Sequence, residues 1–239
     1  MREKITTRTE EEFIAFSEET TQVLQIKRNR AKLFLEIIAE NNIPSYIYGS
    51  IVRGDITKTS DIDVIIPYPV SSMLLELTLE KLKIESRNIS QATPNHTPKA
   101  HIRFSNETTV TFPLIPFRDR EANFYHFAGV CTLAELNLNQ LKPGVNKRLE
   151  LIKPISKSGV KGFVIAPVIG QESYVAKLLN IPLDVVQERV RVLTQRDKRG
   201  RTGVFLNRPL DDDEQFEKVL YNLKAQNVAL RRYLQRRNL

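Results

Sequence analysis

The chain has 239 residues, with 36 Lys+Arg against 28 Asp+Glu, a formal charge of +8, and 41% apolar residues. That is enough chain and enough apolar content for one large or two modest domains, and it excludes a disordered polymer. No apolar run reaches the length of a membrane span, and the N-terminus does not read as a signal peptide. Cys131 stands alone, so no internal disulfide or cysteine metal cluster can form. The expectation is a soluble, cytoplasmic protein with no membrane partner.

The positive charge is uneven. Residues 1–130 carry 16 Lys+Arg against 17 Asp+Glu, whereas residues 131–239 carry 20 against 11. A near-neutral unit over 1–130 and a basic unit over 131–239 suggest chemistry in front and polyanion binding behind.

In chain order, residues 10–18 and 20–41 are predicted helices. The second has an apolar stripe of Val23, Leu24, Ile26, Leu33, Leu35, Ile37 and Ile38 and ends at Asn41-Asn42-Ile43-Pro44. A strand at 45–49, a helical turn at 50–54 and a strand at 61–66 follow. A helix is predicted at 71–83. A hairpin over 99–105 and 108–117 turns at Ser105-Asn106-Glu107, and a helix at 118–127 closes the first unit.

Within this unit one pattern carries chemistry. Tyr46-Ile47-Tyr48-Gly49-Ser50 is followed by Asp61-Ile62-Asp63-Val64-Ile65-Ile66. Alternate strand residues share a face, so Asp61 and Asp63 point together while Ile62 and Val64 point to the other side. Two adjacent carboxylates repel, and a hard divalent cation such as Mg²⁺ or Mn²⁺ relieves that repulsion. Gly49 lets backbone approach a bulky anion, and Ser50 offers a hydroxyl and an N–H to phosphate oxygens. The combination is a candidate site for a metal-bound nucleoside triphosphate.

Gly49-Ser50-Ile51-Val52-Arg53-Gly54 and then Ser60-Asp61-Ile62-Asp63-Val64 resemble the signature of the DNA polymerase β-like nucleotidyltransferase superfamily. The spacing is similar to that of the minimal nucleotidyltransferases. The whole chain resembles an archaeal nucleotidyltransferase with an appended DNA-binding-type domain. The resemblance implies a mixed α/β (α+β) core around a small mixed sheet, with Asp61 and Asp63 as catalytic metal ligands and Gly49, Ser50 and Arg53 binding nucleotide. It also implies a third carboxylate on a neighbouring strand. The comparable run here is Val110-Thr111-Phe112-Pro113-Leu114-Ile115-Pro116, with Pro113 in the acid's place and no carboxylate between Thr108 and Arg118. Glu107 and Asp119 flank that run. His101 is either a base or a packed side chain, and Lys58 and Lys99 either touch phosphate or are surface charges.

In the second half, strands are predicted at 147–152 and 161–167. Residues 173–187 read as helix-turn-helix, with Ala176 at the crossing, Asn180 at the turn, and Leu179, Ile181 and Val186 in the corner. The second helix and the basic turn after it present Arg189, Arg191, Arg196, Lys198, Arg199 and Arg201 as candidate nucleic-acid contacts, with DNA ahead of RNA. Val204-Phe205-Leu206 follows as the strand of a winged-helix-like domain. A single last helix starts at Asp211-Asp212-Asp213-Glu214 and runs to Arg236-Arg237. Two functions fit: nucleoside monophosphate transfer from an NTP to an acceptor, or a catalytically weak nucleotide sensor that regulates DNA.

Overall fold

The computed structural model describes residues 4–105, 107–200 and 203–238, so the predicted contact at Arg201 lies outside the described residues. In chain order, β1 (Glu12–Ala15), α1 (Glu18–Glu40), β2 (Tyr46–Tyr48), α2 (Ser50–Arg53), β3 (Ile62–Ile65) and α3 (Ser72–Thr78) come first. Next come β4 (Ile84–Gln91), β5 (Lys99–Phe104), β6 (Thr108–Pro113), α4 (Asp119–Ala128), β7 (Val130–Cys131) and α5 (Leu133–Asn137). The remainder is β8 (Gly144–Val145), β9 (Glu150–Lys157), β10 (Val160–Pro167), α6 (Glu172–Leu179), α7 (Leu183–Arg199), β11 (Leu206–Pro209), α8 (Phe216–Gln226) and α9 (Val228–Arg236). The architecture is mixed α/β, as expected.

Two sheets organise these elements. One has seven strands in the order β11-β4-β5-β6-β3-β2-β7, and the other has four in the order β1-β10-β9-β8. In the larger sheet only β3 and β6 run parallel; the remaining pairs are antiparallel. Ile47, Ile62, Val64, Ala100, Ile102, Val110 and Phe112 point to one face of that sheet and join Phe34, Leu35 and Ile38 of α1 in the main core.

The predicted helix at 10–18 is replaced by β1, which pairs with β10 from Glu12↔Ile165 to Ala15↔Gly162. Gly162 permits this pairing, because a Cβ there would lie 2.2 Å from the Ile14 carbonyl oxygen. Short segments take their conformation from such long-range partners rather than from local propensity. The long helix α1 is where the periodicity placed it, capped by Ser17, whose Oγ accepts from Thr20 N at 3.0 Å. Its inward face differs from the predicted stripe. Ile26 and Leu33 are exposed, while Lys27 and Arg28 are buried among Ala31, Phe34, Leu35 and Ile38. Both cations are satisfied: Lys27 donates to Ser60 O and to Glu107 at 2.8 Å. Arg28 donates to the carbonyls of Ile51 at 3.1 Å and Gln140 at 2.8 Å.

The α3 helix ends earlier than predicted, and β4, which no periodicity announced, occupies 84–91. Its sequence Ile-Glu-Ser-Arg-Asn-Ile-Ser-Gln is polar; it is a strand because β5 and β11 hold both its edges. The predicted final helix is two, α8 and α9, broken at Asn227, whose Oδ1 caps Leu230 N at 3.0 Å.

Pairing also crosses residue 130. The strand β7 adds to the edge of the large sheet at β2, and β11 adds to the opposite edge at β4. Leu206 is therefore no wing on the second half; it pairs with Gln91. The last helices dock on the first core. Glu217 of α8 accepts from Ser72 N at 2.9 Å and from Ser72 Oγ at 2.6 Å, and Phe216 stacks edge-on with Phe112. Meanwhile α6 and α7 meet at a tight turn, with Asn180 left-handed at φ 51° and Ile181 and Val186 buried. They cover the small sheet through Val175, Ala176, Val185 and Val186.

Candidate functional site

The chain leaves β2 at Gly49, turns into α2, and returns along β3. Gly49 has φ 91°, a left-handed value that favours glycine, and nothing lies within 4 Å of where a Cβ would stand. The glycine thus serves the turn and leaves open space over it. Its N–H donates to Gly129 O at 3.1 Å, and its carbonyl accepts from Val52 N at 3.0 Å. Ser50, the first residue of α2, keeps its hydroxyl without a partner among the described residues and lines the same space.

Asp61 is exposed at the entry to β3, and Asp63 is partly buried within it, while Ile62 and Val64 are fully buried on the opposite face. Neither carboxylate makes a hydrogen bond or ion pair among the described residues. Burial, and then the neighbouring Asp61 charge, push the Asp63 carboxyl up to about 6, with Lys147 and Arg103 pulling the other way. Such a pair of unpartnered hard oxygens fits a divalent cation such as Mg²⁺ or Mn²⁺. No group of three or more His, Cys, Asp or Glu able to hold a metal occurs among the described residues.

The register shows why no third acid joins them. Across the parallel β3–β6 ladder, Asp63 faces Thr109 and Ile65 faces Thr111. Pro113, taken from sequence as the third position, lies four residues beyond Thr109, about 13 Å along the strand at 3.3 Å per residue, where it pairs with Lys99. Glu107 sits next to the Asp61 end, its carbonyl accepting from Ile62 N at 3.0 Å. Its carboxylate turns to Lys27 at 2.8 Å and does not line the cleft. His101 is held by Thr111 Oγ1 at 2.9 Å and Ser90 Oγ at 2.7 Å. Burial, then Lys99, lower it to about 4, so it is neutral near pH 7.

The Gly49-Ser50 turn and the two aspartates form one wall of a cleft of about 490 Å³. Phe124 and Phe127 of α4 form another, and Lys147, Arg148 and Glu150 reach in from the smaller sheet. Arg189 and Leu193 of α7 close it. Arg53 lines the cleft, but its guanidinium is committed. It pairs bidentately with Asp55 at 3.0 Å on both bonds and donates to Ala128 O at 2.6 Å. It braces the turn after α2 against the end of α4.

The predicted nucleic-acid residues separate. Arg191, Arg196, Lys198 and Arg199 are on the exposed faces of α7. Arg189 turns inward, with its guanidinium 4.7 Å from the Phe124 ring centre. Burial first, and then Arg196, lower its pKa to about 10. Lys58 is a surface charge paired with Glu19 at 2.5 Å, and Lys99 lies 5.9 Å over the Tyr125 ring. Sequence reading missed Phe124, Lys147, Arg148 and Glu150. No local signal marks them, because only the packing of α4 against β2 and β8, and of β9 against α2, brings them to the cleft that Asp63 lines.

The family model described as nucleotidyltransferase domain matches residues 31–115. No curated protein matches the sequence significantly. Among solved structures, one in the GLD-2/RNP-8 complex is similar at 20% identity and a TM-score of 0.29, covering 42% of this chain and 42% of that one. A cytoplasmic RNA terminal U-transferase is similar at 16% identity and a TM-score of 0.32, over 48% of this chain and 35% of that one. A CCA-adding enzyme in complex with ATP is similar at 14% identity and a TM-score of 0.33, over 94% of this chain and 51% of that one. This chain thus spans about half or less of the length of each of these structures. With the family match resting on the segment from α1 to β6, the chain carries a nucleotidyltransferase domain of the DNA polymerase β-like superfamily.

Proposed function

We propose that the cleft transfers a nucleoside monophosphate from an NTP to an acceptor hydroxyl. The observation that carries this reading is the unpartnered Asp61–Asp63 pair beside the open Gly49-Ser50 turn, inside one cleft of nucleotide size. Asp61 and Asp63 would hold Mg²⁺ or Mn²⁺, which neutralises charge on phosphate oxygens when bound. The Gly49-Ser50 turn receives phosphate oxygens through the Ser50 N–H and hydroxyl. The acceptor oxygen forms a bond to the α-phosphorus, and the bond from that phosphorus to the bridging oxygen breaks. Pyrophosphate leaves with the bond's electron pair, and the hydroxyl proton passes to water.

The acceptor is proposed to be a nucleic acid. The basic balance of residues 131–239 and the exposed Arg191, Arg196, Lys198 and Arg199 of α7 support it. The turn between α6 and α7, read as a helix-turn-helix, supports DNA ahead of RNA as the proposed partner of these residues. A second reading is supported by Thr109. With a hydroxyl instead of an acid beside Asp63, the fold would bind nucleotide and regulate DNA without turnover. Incubation with each labelled NTP and Mg²⁺ or Mn²⁺, with and without DNA or RNA, separates the two. Pyrophosphate release in step with acceptor extension supports transfer. Saturable nucleotide binding with no release supports the regulator.

A further inference from the structure

We infer that α7 is the inner wall of the nucleotide cleft and that Arg189 is a phosphate-binding residue there, not a base-reading contact on an outer helix face. This deepens the transfer reading and rests on the cleft being the nucleotide site.

The argument begins with charge. Six of the charged residues lining the cleft compensate one another or await a cation. Arg53 is neutralised by Asp55 at 3.0 Å, and Arg148 stands 3.5 Å from Glu150. Asp61 and Asp63 together match one divalent cation. Lys147 and Arg189 remain; neither makes a hydrogen bond or ion pair among the described residues, although Lys147 is near enough to Asp63 to lower its pKa. Once a divalent cation is held by Asp61 and Asp63, the lining carries two further positive charges, on Lys147 and Arg189, which an anion would balance.

Arg189 is the sharper of the two. Lys147 is exposed and water solvates it, whereas Arg189 is largely withdrawn from water. Its Nε is fully buried with no hydrogen-bond partner, a costly arrangement that holds the inner end of the guanidinium in the wall and leaves its terminal nitrogens as the donors for a ligand. Its plane is fixed over Phe124 at 4.7 Å. Arg120 of α4 reaches Asp184 and, at 3.7 Å, Glu188, so α7 is tied to the same helix that carries Phe124. A held guanidinium with a free donor edge matches a phosphate bidentately. The phosphate belongs either to the NTP tail or to the backbone of an acceptor strand, and the chemistry is the same for both.

The test uses the full chain. Arg189→Met keeps length and apolar contact with Phe124 but removes charge and donors; Arg189→Lys keeps charge but not the fork. Inorganic tripolyphosphate binding is measured by calorimetry, and binding of a labelled oligonucleotide by anisotropy. The expected result is a tenfold or greater loss of affinity in Arg189→Met for at least one probe, with Arg189→Lys between it and the wild type. Loss for tripolyphosphate alone assigns the NTP tail, loss for the oligonucleotide alone assigns the acceptor, and loss for both assigns a shared site. Equal affinities across all three proteins for both probes overturn the inference. If Arg189→Met does not fold, Arg189→Lys decides: affinity unchanged for both probes overturns it. Neither probe requires turnover, so a protein that binds phosphate through Arg189 yet transfers nothing leaves this inference standing and removes the transfer reading.

Discussion

Thr109 stands across the parallel β3–β6 ladder from Asp63. A carboxylate at that position would point to the same face as Asp61 and Asp63 and complete a three-acid set. A hydroxyl there neither repels the pair nor adds charge to hold a second cation. On the transfer reading, the rate of this site is expected to depend on this one residue of β6.

Thr109→Asp is expected to raise pyrophosphate release in Mg²⁺ by tenfold or more, since two cations then stabilise the attacking and leaving oxygens. Pro113→Asp, about 13 Å further along the strand, is expected to leave the rate unchanged. Initial rates of both variants against the wild type check this. A gain from Pro113→Asp alone would refute the β3–β6 register as the site's frame. Wild-type turnover is expected to be faster in Mn²⁺ than in Mg²⁺, because Mn²⁺ tolerates a sparse ligand set.

Asp63 makes stability depend on pH. Its folded carboxyl titrates at about 6, against about 4 in an unfolded chain. Between those values the folded state binds more protons than the unfolded state. The Asp63 contribution to stability is thus fully present below about pH 4 and is lost as pH rises through 6, by on the order of 3 kcal/mol. In chelator, Asp63→Asn should flatten the melting temperature across this window and raise it at pH 7. A wild-type profile that rises between pH 4 and 6 and loses that rise in Asp63→Asn would contradict the assignment.

Arg53 is expected to matter for folding before binding. Arg53→Met strands Asp55 and frees the Ala128 carbonyl, and breaking a buried pair in this way costs about 3–5 kcal/mol. Thermal unfolding should show a large drop in melting temperature. A variant with wild-type stability and weakened NTP affinity would mark Arg53 as a direct phosphate contact instead.

What the sequence made legible was the local and periodic part. The amphipathic repeat of α1, the Gly-Ser turn, the alternation of Asp61 and Asp63 with Ile62 and Val64, and the left-handed Asn180 are all written within a few residues. What it hid depends on distant partners. Glu12–Ala15 is a strand because Gly162 admits it. The polar β4 is a strand because β5 and β11 flank it. Phe124, Lys147 and the inward turn of Arg189 belong to the site only because α4 packs on β2, β8 and α7, and β9 packs on α2. The burial of Lys27 and Arg28 is likewise not written locally, because their acceptors lie 33 and 23 residues away at Ser60 and Ile51.

The exposed end of α7 should carry salt-dependent binding. Replacing Lys198 and Arg199 with Gln is expected to weaken oligonucleotide binding and lower the slope of log affinity against log salt by about one for each lost phosphate contact. An unchanged slope would remove α7's exposed end from the interface.

The most direct test of the account is calorimetric titration of the protein with an NTP in Mn²⁺, comparing wild type with the double variant Asp61→Asn, Asp63→Asn. The account predicts metal-dependent binding by the wild type, with one bound ion per NTP. It predicts none in the variant, whose fold by circular dichroism is intact. Equal metal-dependent binding by both proteins would contradict it, because the two aspartates would then not be the ligands around which the cleft is built.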